Sequence, residues 1–113
     1  MKQISDLAVQ AQEAADAVGS VILDVRRRPV FKAATDQIAG STWRDPAEVS
    51  QWLRELDPTI PTIVYCVHGH EVSQGVAMAL NAGGIPVRYI QGGIEAWREA
   101  ELPLQNKIEG AVE

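Results

Sequence analysis

Apolar residues along the chain alternate between two rhythms. After the N-cap chemistry of Ser5 and Asp6, residues Leu7, Ala8, Ala11, Ala14, Ala15 and Val18 recur at helical spacing until Gly19 stops them, which predicts a first helix. Val21 to Val25 follow as a β-branched run of the kind buried in a parallel sheet, closed by Arg26, Arg27, Arg28 and Pro29. No period persists from Pro29 to Thr42, and Gly40-Ser41 marks a turn. The expectation there is a loop with one helical turn near Val30 to Ala33. Asp45 as an N-cap acid, Pro46 at the first helical position and Glu48 in the first turn open a second helix. Its apolar face is Val49, Trp52, Leu53 and Leu56, and it runs to about Asp57-Pro58.

Thr62 to Cys66 read as another buried strand, and Val72 to Asn81 as a helix with Val76, Ala77 and Leu80 on one face, ended by Gly83-Gly84. Pro86 to Ile90 form a third strand and Gly92-Gly93 a tight turn. A short helix from Ile94 to Glu101 then packs Trp97 before Pro103 stops it. Strands alternating with helices predict an α/β fold, an open parallel sheet covered by helices on both faces. Residues 1–104 make one domain in this reading, and 105–113 a frayed C-terminal tail. Active sites of such sheets lie beyond the carboxyl ends of the strands, and Cys66 stands at one of those ends.

Composition narrows the partners. The chain has 113 residues, 46% hydrophobic and 22% charged, within the range of one globular domain. A formal charge of -5 argues against a phosphate-backbone partner, so no nucleic acid is expected. No apolar run approaches the roughly 18–20 residues of a membrane span, so no membrane partner is expected either. The start, Met1 to Asp6, lacks the basic and apolar segments of a secretory signal, and a cytoplasmic location follows as the expectation. Cys66 is the single cysteine, which leaves no disulfide or multi-thiolate metal site within one chain.

The segment Cys66-Val67-His68-Gly69-His70-Glu71-Val72-Ser73 joins a buried strand directly to a helix. Backbone N–H groups near a helix start can converge on a small volume that attracts anions, and a sulfur anion held there is stabilised for nucleophilic attack. Gly69 in mid-loop permits a positive φ and close backbone approach. His68 and His70 can donate hydrogen bonds to a bound anion or, when protonated, supply positive charge. Without a nearby third ligand they make no convincing metal pair, so neither metal nor organic cofactor is expected.

Ile22-Leu23-Asp24-Val25-Arg26, then Tyr65-Cys66-Val67-His68-Gly69, then Gly92-Gly93-Ile94-Glu95-Ala96-Trp97 with Leu102-Pro103 resemble, in order and spacing, the rhodanese (sulfurtransferase) domain of the single-domain type. The resemblance spans about residues 20–103. It implies five short parallel strands flanked by helices, with Ile4 and its neighbours as a short first strand. It also implies a persulfide on Cys66, charged by a small anionic sulfur donor and discharged to a thiol or cyanide acceptor, with a sulfur-relay protein as a further partner. Val67, His68, Gly69, His70, Glu71 and Val72 are then substrate-binding, and Asp24 and Arg26 support the loop. Arg27 and Arg28 form a basic rim able to steer anions. Trp97 reads as core, and Trp43 and Trp52 carry no assigned role.

The pattern also departs from the family. Many active members carry arginine, threonine or serine at the sixth loop position, where this chain has Glu71. Aligning Ser73 and the helix face suggests one extra residue, a loop from Cys66 to Val72, as in related phosphatases and arsenate reductases. Those relatives place arginine at the seventh position, where Val72 stands, so the clamp for phosphate is missing. Glu71 should weaken thiosulfate binding unless it points outward or pairs with a histidine. Protonated His68 and His70 would replace the missing arginine in part, with activity rising in mildly acidic solution. Asp36 to Ser41 depart as well, from a segment that many members write Gly-His-Ile-Pro-Gly-Ala. A non-catalytic binding or sulfur-carrier module, and an arsenate or oxyanion reductase, remain as alternative readings.

Overall fold

A computed structural model of the chain describes residues 3–107. In chain order the elements are β1 (Ala8–Val9), α1 (Ala11–Asp16), β2 (Val21–Asp24), α2 (Arg28–Ala33), β3 (Asp36–Ile38), β4 (Thr42–Trp43), α3 (Val49–Trp52), β5 (Thr62–Tyr65), α4 (Glu71–Ala82), β6 (Val87–Ile90), α5 (Gly93–Glu99) and β7 (Leu104–Asn106). Strands β1, β6, β5, β2 and β4, in that order, form one parallel sheet of five. Strands β3 and β7 make a separate antiparallel pair.

All residues of β5 are buried, because helices cover both faces of the sheet at its centre. Successive side chains of a strand point to opposite faces, and β5 divides accordingly. Val64 joins Leu23, Val25, Val76, Leu80 and Val87 under α4. Ile63 and Tyr65 join Ile38, Ile90, Ile94 and Trp97 under α5. The α/β expectation and the three long strands are therefore found where the pattern put them.

The edges differ from the expectation. The predicted first helix loses its opening turn, for Ile4–Leu7 is a 3-10 turn and Ala8–Val9 pairs with Tyr89 and Ile90 as the edge strand. The short first strand is thus present, but at Ala8 rather than Ile4. The stretch read as a loop after Pro29 holds a full helix and two strands, Asp36–Ile38 and Thr42–Trp43. The second helix is broken into a 3-10 turn at Pro46–Glu48, a single α turn at Val49–Trp52 and a further 3-10 turn at Leu53–Glu55. Gln105 and Asn106, expected in a frayed tail, pair with Gln37 and Asp36 instead. Lys107 then donates from Nζ to the carbonyls of Phe31 and Lys32, at 3.0 and 2.7 Å. Residues 108–113 of the expected tail lie outside the described residues.

Candidate active site

Cys66 follows β5 directly, is buried, and lines a cavity of about 180 Å³ beyond the carboxyl edge of the sheet. Val67, His68, His70, Glu71 and Val72 line the same cavity from the loop, and Arg26, Arg27 and Val30 from the end of β2 and from α2. The larger depressions on either side contain no cysteine or histidine. The predicted loop residues are therefore brought together, with Gly69 buried beneath them.

Helix α4 begins at Glu71, one residue before the expected Val72. Its first turn closes when Gln74 N donates to His70 O at 3.0 Å. Glu71, Val72 and Ser73 are thus the opening helical residues, whose N–H groups have no partner inside the helix. Among the described residues, no backbone N–H from His68 to Ser73 donates to a protein acceptor. Unpaired amides at the opening of a helix favour an anion, and here they follow Cys66 in the chain.

Two glycine positions give the loop its shape. Gly69 has φ +72°, and a Cβ there would come within 2.6 Å of both Gly92 N and Ile90 O. Gly93, at φ +62°, lies so close to the loop that its Cβ would meet Cys66 O at 2.5 Å. Ile94 N donates to Cys66 O at 2.9 Å and Glu95 N to Val67 O at 3.2 Å. The Gly92-Gly93 turn thus grips the loop backbone to backbone, a role for the turn that sequence reasoning did not assign. The signal was the glycine pair itself, since close approach is a main use of glycine.

Ser73 is a second site residue that the sequence left unassigned. Fully buried in the first turn of α4, it accepts a hydrogen bond from Cys66 Sγ at 3.2 Å. Gln74 Nε2 donates to Gly69 O at 3.0 Å and ties the loop to the helix.

Asp24 and Arg26 stand at the end of β2, and Arg26 lines the cavity. Arg26 Nη2 donates to Asp36 O at 2.9 Å, and Trp43 Nε1 donates to Arg26 O at 2.8 Å. Trp43 also stacks on Phe31 at 5.1 Å, which gives this tryptophan a structural part, while Trp52 Nε1 donates to Asp45 O at 2.8 Å. Tyr65 hydroxyl accepts from Ile38 N at 3.1 Å and meets Ser41 Oγ at 2.9 Å. Ser41 Oγ in turn donates to Ile38 O at 2.7 Å, so the phenol is the donor toward Ser41. Burial, with the charge of Asp24 adding, raises the phenol above its ordinary range and keeps it a neutral donor.

With this geometry in place, the chain can be set beside known proteins. The family model described as rhodanese-like domain matches residues 7–100. The chain belongs to this family. It is 31% identical over 98 residues to the thiosulfate sulfurtransferase GlpE of Pseudomonas entomophila, covering 87% of this chain and 88% of that one. The protein of that name from Pseudomonas putida F1 is 33% identical over 89 residues, 79% of each chain. The crystal structure of a rhodanese-related protein from Thermoplasma volcanium superposes with a TM-score of 0.76 at 23% identity, covering 87% of this chain and 96% of that one.

Within this rhodanese-like domain, the departures noted in the sequence take on geometry. Glu71 is mostly exposed, and its Oε1 lies 3.7 Å from Arg27 Nη2. It faces outward and pairs with an arginine, where the sequence offered a histidine as its partner. His68 and His70 are both exposed on the cavity rim, with ring centroids 6.2 Å apart. Among the described residues no group of three or more His, Cys, Asp or Glu is placed to hold a metal ion. The arginines on the cavity wall are Arg26, bound to Asp24, and Arg27, beside Glu71.

Proposed function

We propose that this rhodanese-like domain is a sulfurtransferase that works through a persulfide on Cys66. The observation that carries the reading is the position of Cys66, at the end of the central strand, lining a small cavity and followed by backbone amides without protein acceptors. The names of the relatives, thiosulfate sulfurtransferases, point the same way.

In the first half-reaction Cys66 thiolate attacks the outer sulfur of a donor such as thiosulfate. The new S–S bond forms as the donor's S–S bond breaks, and sulfite leaves with the electron pair. The terminal sulfur then carries the negative charge, which the unpaired loop amides stabilise. In the second half-reaction a thiolate or cyanide attacks that terminal sulfur, the bond to Sγ breaks, and the electron pair returns to Cys66. Asp24 and Arg26 hold the strand end in place, and His68 and His70 meet the donor at the rim. The cavity of about 180 Å³ suits a small anion or the tip of a cysteine side chain rather than a bulky substrate.

Intact-protein mass spectrometry after incubation with thiosulfate, and separately with mercaptopyruvate, tests the reading. The expected result is a gain of one sulfur atom that cyanide removes and that Cys66→Ser abolishes. No gain from either donor would overturn it in favour of a partner-fed carrier or a binding module.

A further inference from the structure

The hydroxyl of Ser73 has one partner among the described residues, the sulfur of Cys66 at 3.2 Å, and the serine is wholly buried. A serine inside a helix ordinarily returns its proton to a backbone carbonyl one turn earlier. Here those carbonyls already receive other donors. Gln74 Nε2 donates to Gly69 O and Gln74 N to His70 O, each at 3.0 Å, and Ser73 Oγ bonds to neither. The O–H of Ser73 is left facing sulfur.

With a protonated Cys66 the arrangement is poor. The thiol donates to Ser73 Oγ, and the hydroxyl proton is left with a weak acceptor in a place water does not reach. With an anionic sulfur it is satisfied, because a thiolate accepts strongly and the hydroxyl turns to donate. The burial of this serine therefore favours the charged form of its neighbour. We infer that Ser73 is a further catalytic residue, whose hydroxyl donates to Cys66 Sγ and holds that sulfur as a thiolate.

The role in turnover rests on the sulfur-transfer reading above, while the effect on the resting sulfur does not. In the first half-reaction the bond from Ser73 raises the fraction of Cys66 able to attack. In the second, the S–S bond of the persulfide breaks and the electron pair returns to Sγ, where the donor is already in place and needs no reorganisation.

The test is the rate of Cys66 alkylation by iodoacetamide as a function of pH, in the whole protein and in Ser73→Ala. The ultraviolet absorbance of the thiolate is followed in parallel, with Cys66→Ser as the blank. Alanine fits the space and favours the helix, and Ser73→Gly deletes the same hydroxyl should alanine disturb the packing. We expect the profile of Ser73→Ala to move to more alkaline pH, with alkylation at neutral pH slower by about tenfold. Ser73→Thr, which keeps the hydroxyl, should return the profile toward that of the parent. Superimposed profiles for the parent and Ser73→Ala, with both folded by circular dichroism, would overturn the assignment. A displaced profile in a protein that gains no cyanide-labile sulfur would sink the sulfurtransferase reading and leave the role of Ser73 standing.

Discussion

Arg26 turns back on Asp24, two residues earlier, with Nη2 2.6 Å from Oδ2 and Nε 3.0 Å from each carboxylate oxygen. The backbone N–H of Arg26 donates to the same carboxylate at 3.0 Å. Both side chains are buried, and the guanidinium lies over the rings of Phe31 and Tyr65, at 5.6 and 5.8 Å from their centroids. Burial works against the guanidinium charge, but the hydrogen bonds and charge of Asp24 outweigh it and hold Arg26 above its ordinary range. A strand-end ion pair in water is worth about 0–1 kcal/mol, whereas this pair is enclosed by the core.

Breaking it by one partner should therefore be severe. Asp24→Asn leaves a buried guanidinium without its counter-charge and is expected to lower stability by roughly 3–5 kcal/mol in urea unfolding. Removing both charges together, as Asp24→Leu with Arg26→Met, should cost clearly less than the sum of the single changes. Additive losses would mean that the two residues act independently.

A methyl group at Gly69 should disable the loop more than the fold. Its Cβ would press on the Gly92 amide and the Ile90 carbonyl, and the positive φ disfavours any side chain. Gly69→Ala is expected to lower stability by about 1–3 kcal/mol, read from the urea midpoint. Persulfide formation on Cys66, read by mass, should fall far more than that loss of stability explains.

The central strands and the candidate cysteine were legible because their signals are local. Val21 to Asp24, Thr62 to Tyr65 and Val87 to Ile90 are apolar runs between turn residues, and helices on both faces of the sheet demand such runs. Cys66 follows from its place between strand and glycine. What escaped notice depends on partners distant in sequence. Ala8 and Val9 read as helix, since a two-residue strand has no period of its own and exists only because Tyr89 and Ile90 are beside it. Asp36 and Gln37 are polar and read as loop, yet β7 pairs with them and Gln37 Nε2 donates to Ser41 O at 2.7 Å. Ser73 escaped for the same reason, because its importance lies in a contact across seven residues rather than in its own type.

Glu71 is expected to matter little. Its carboxylate is exposed and 3.7 Å from an exposed Arg27, a geometry worth well under about 1 kcal/mol. Glu71→Gln should leave the urea midpoint nearly unchanged. It should also raise kcat/KM for thiosulfate by about two- to threefold at low ionic strength, an effect that fades as salt is added. A tenfold or larger gain that survives high salt would place the carboxylate against the bound anion instead.

The pair of Asp36 and Arg98 makes a contribution whose pH dependence has a definite sign. Arg98 Nη1 lies 2.6 Å from Asp36 Oδ2, joining α5 to β3. The hydrogen bond from Arg98, helped by the charges of Arg98 and Arg26, holds the Asp36 carboxyl below its ordinary 3.8. A carboxyl depressed in the folded state stabilises the fold fully above its unfolded value, and that stabilisation is lost as pH falls through the folded value. Asp36→Asn should therefore be less stable than the parent at neutral pH, by at most about 1 kcal/mol because the arginine is partly exposed. The gap should stay constant above about pH 5 and close on further acidification. Urea midpoints of the two proteins at a series of pH values measure it directly. A gap that persisted unchanged into strong acid would show that Asp36 acts through its shape rather than its charge.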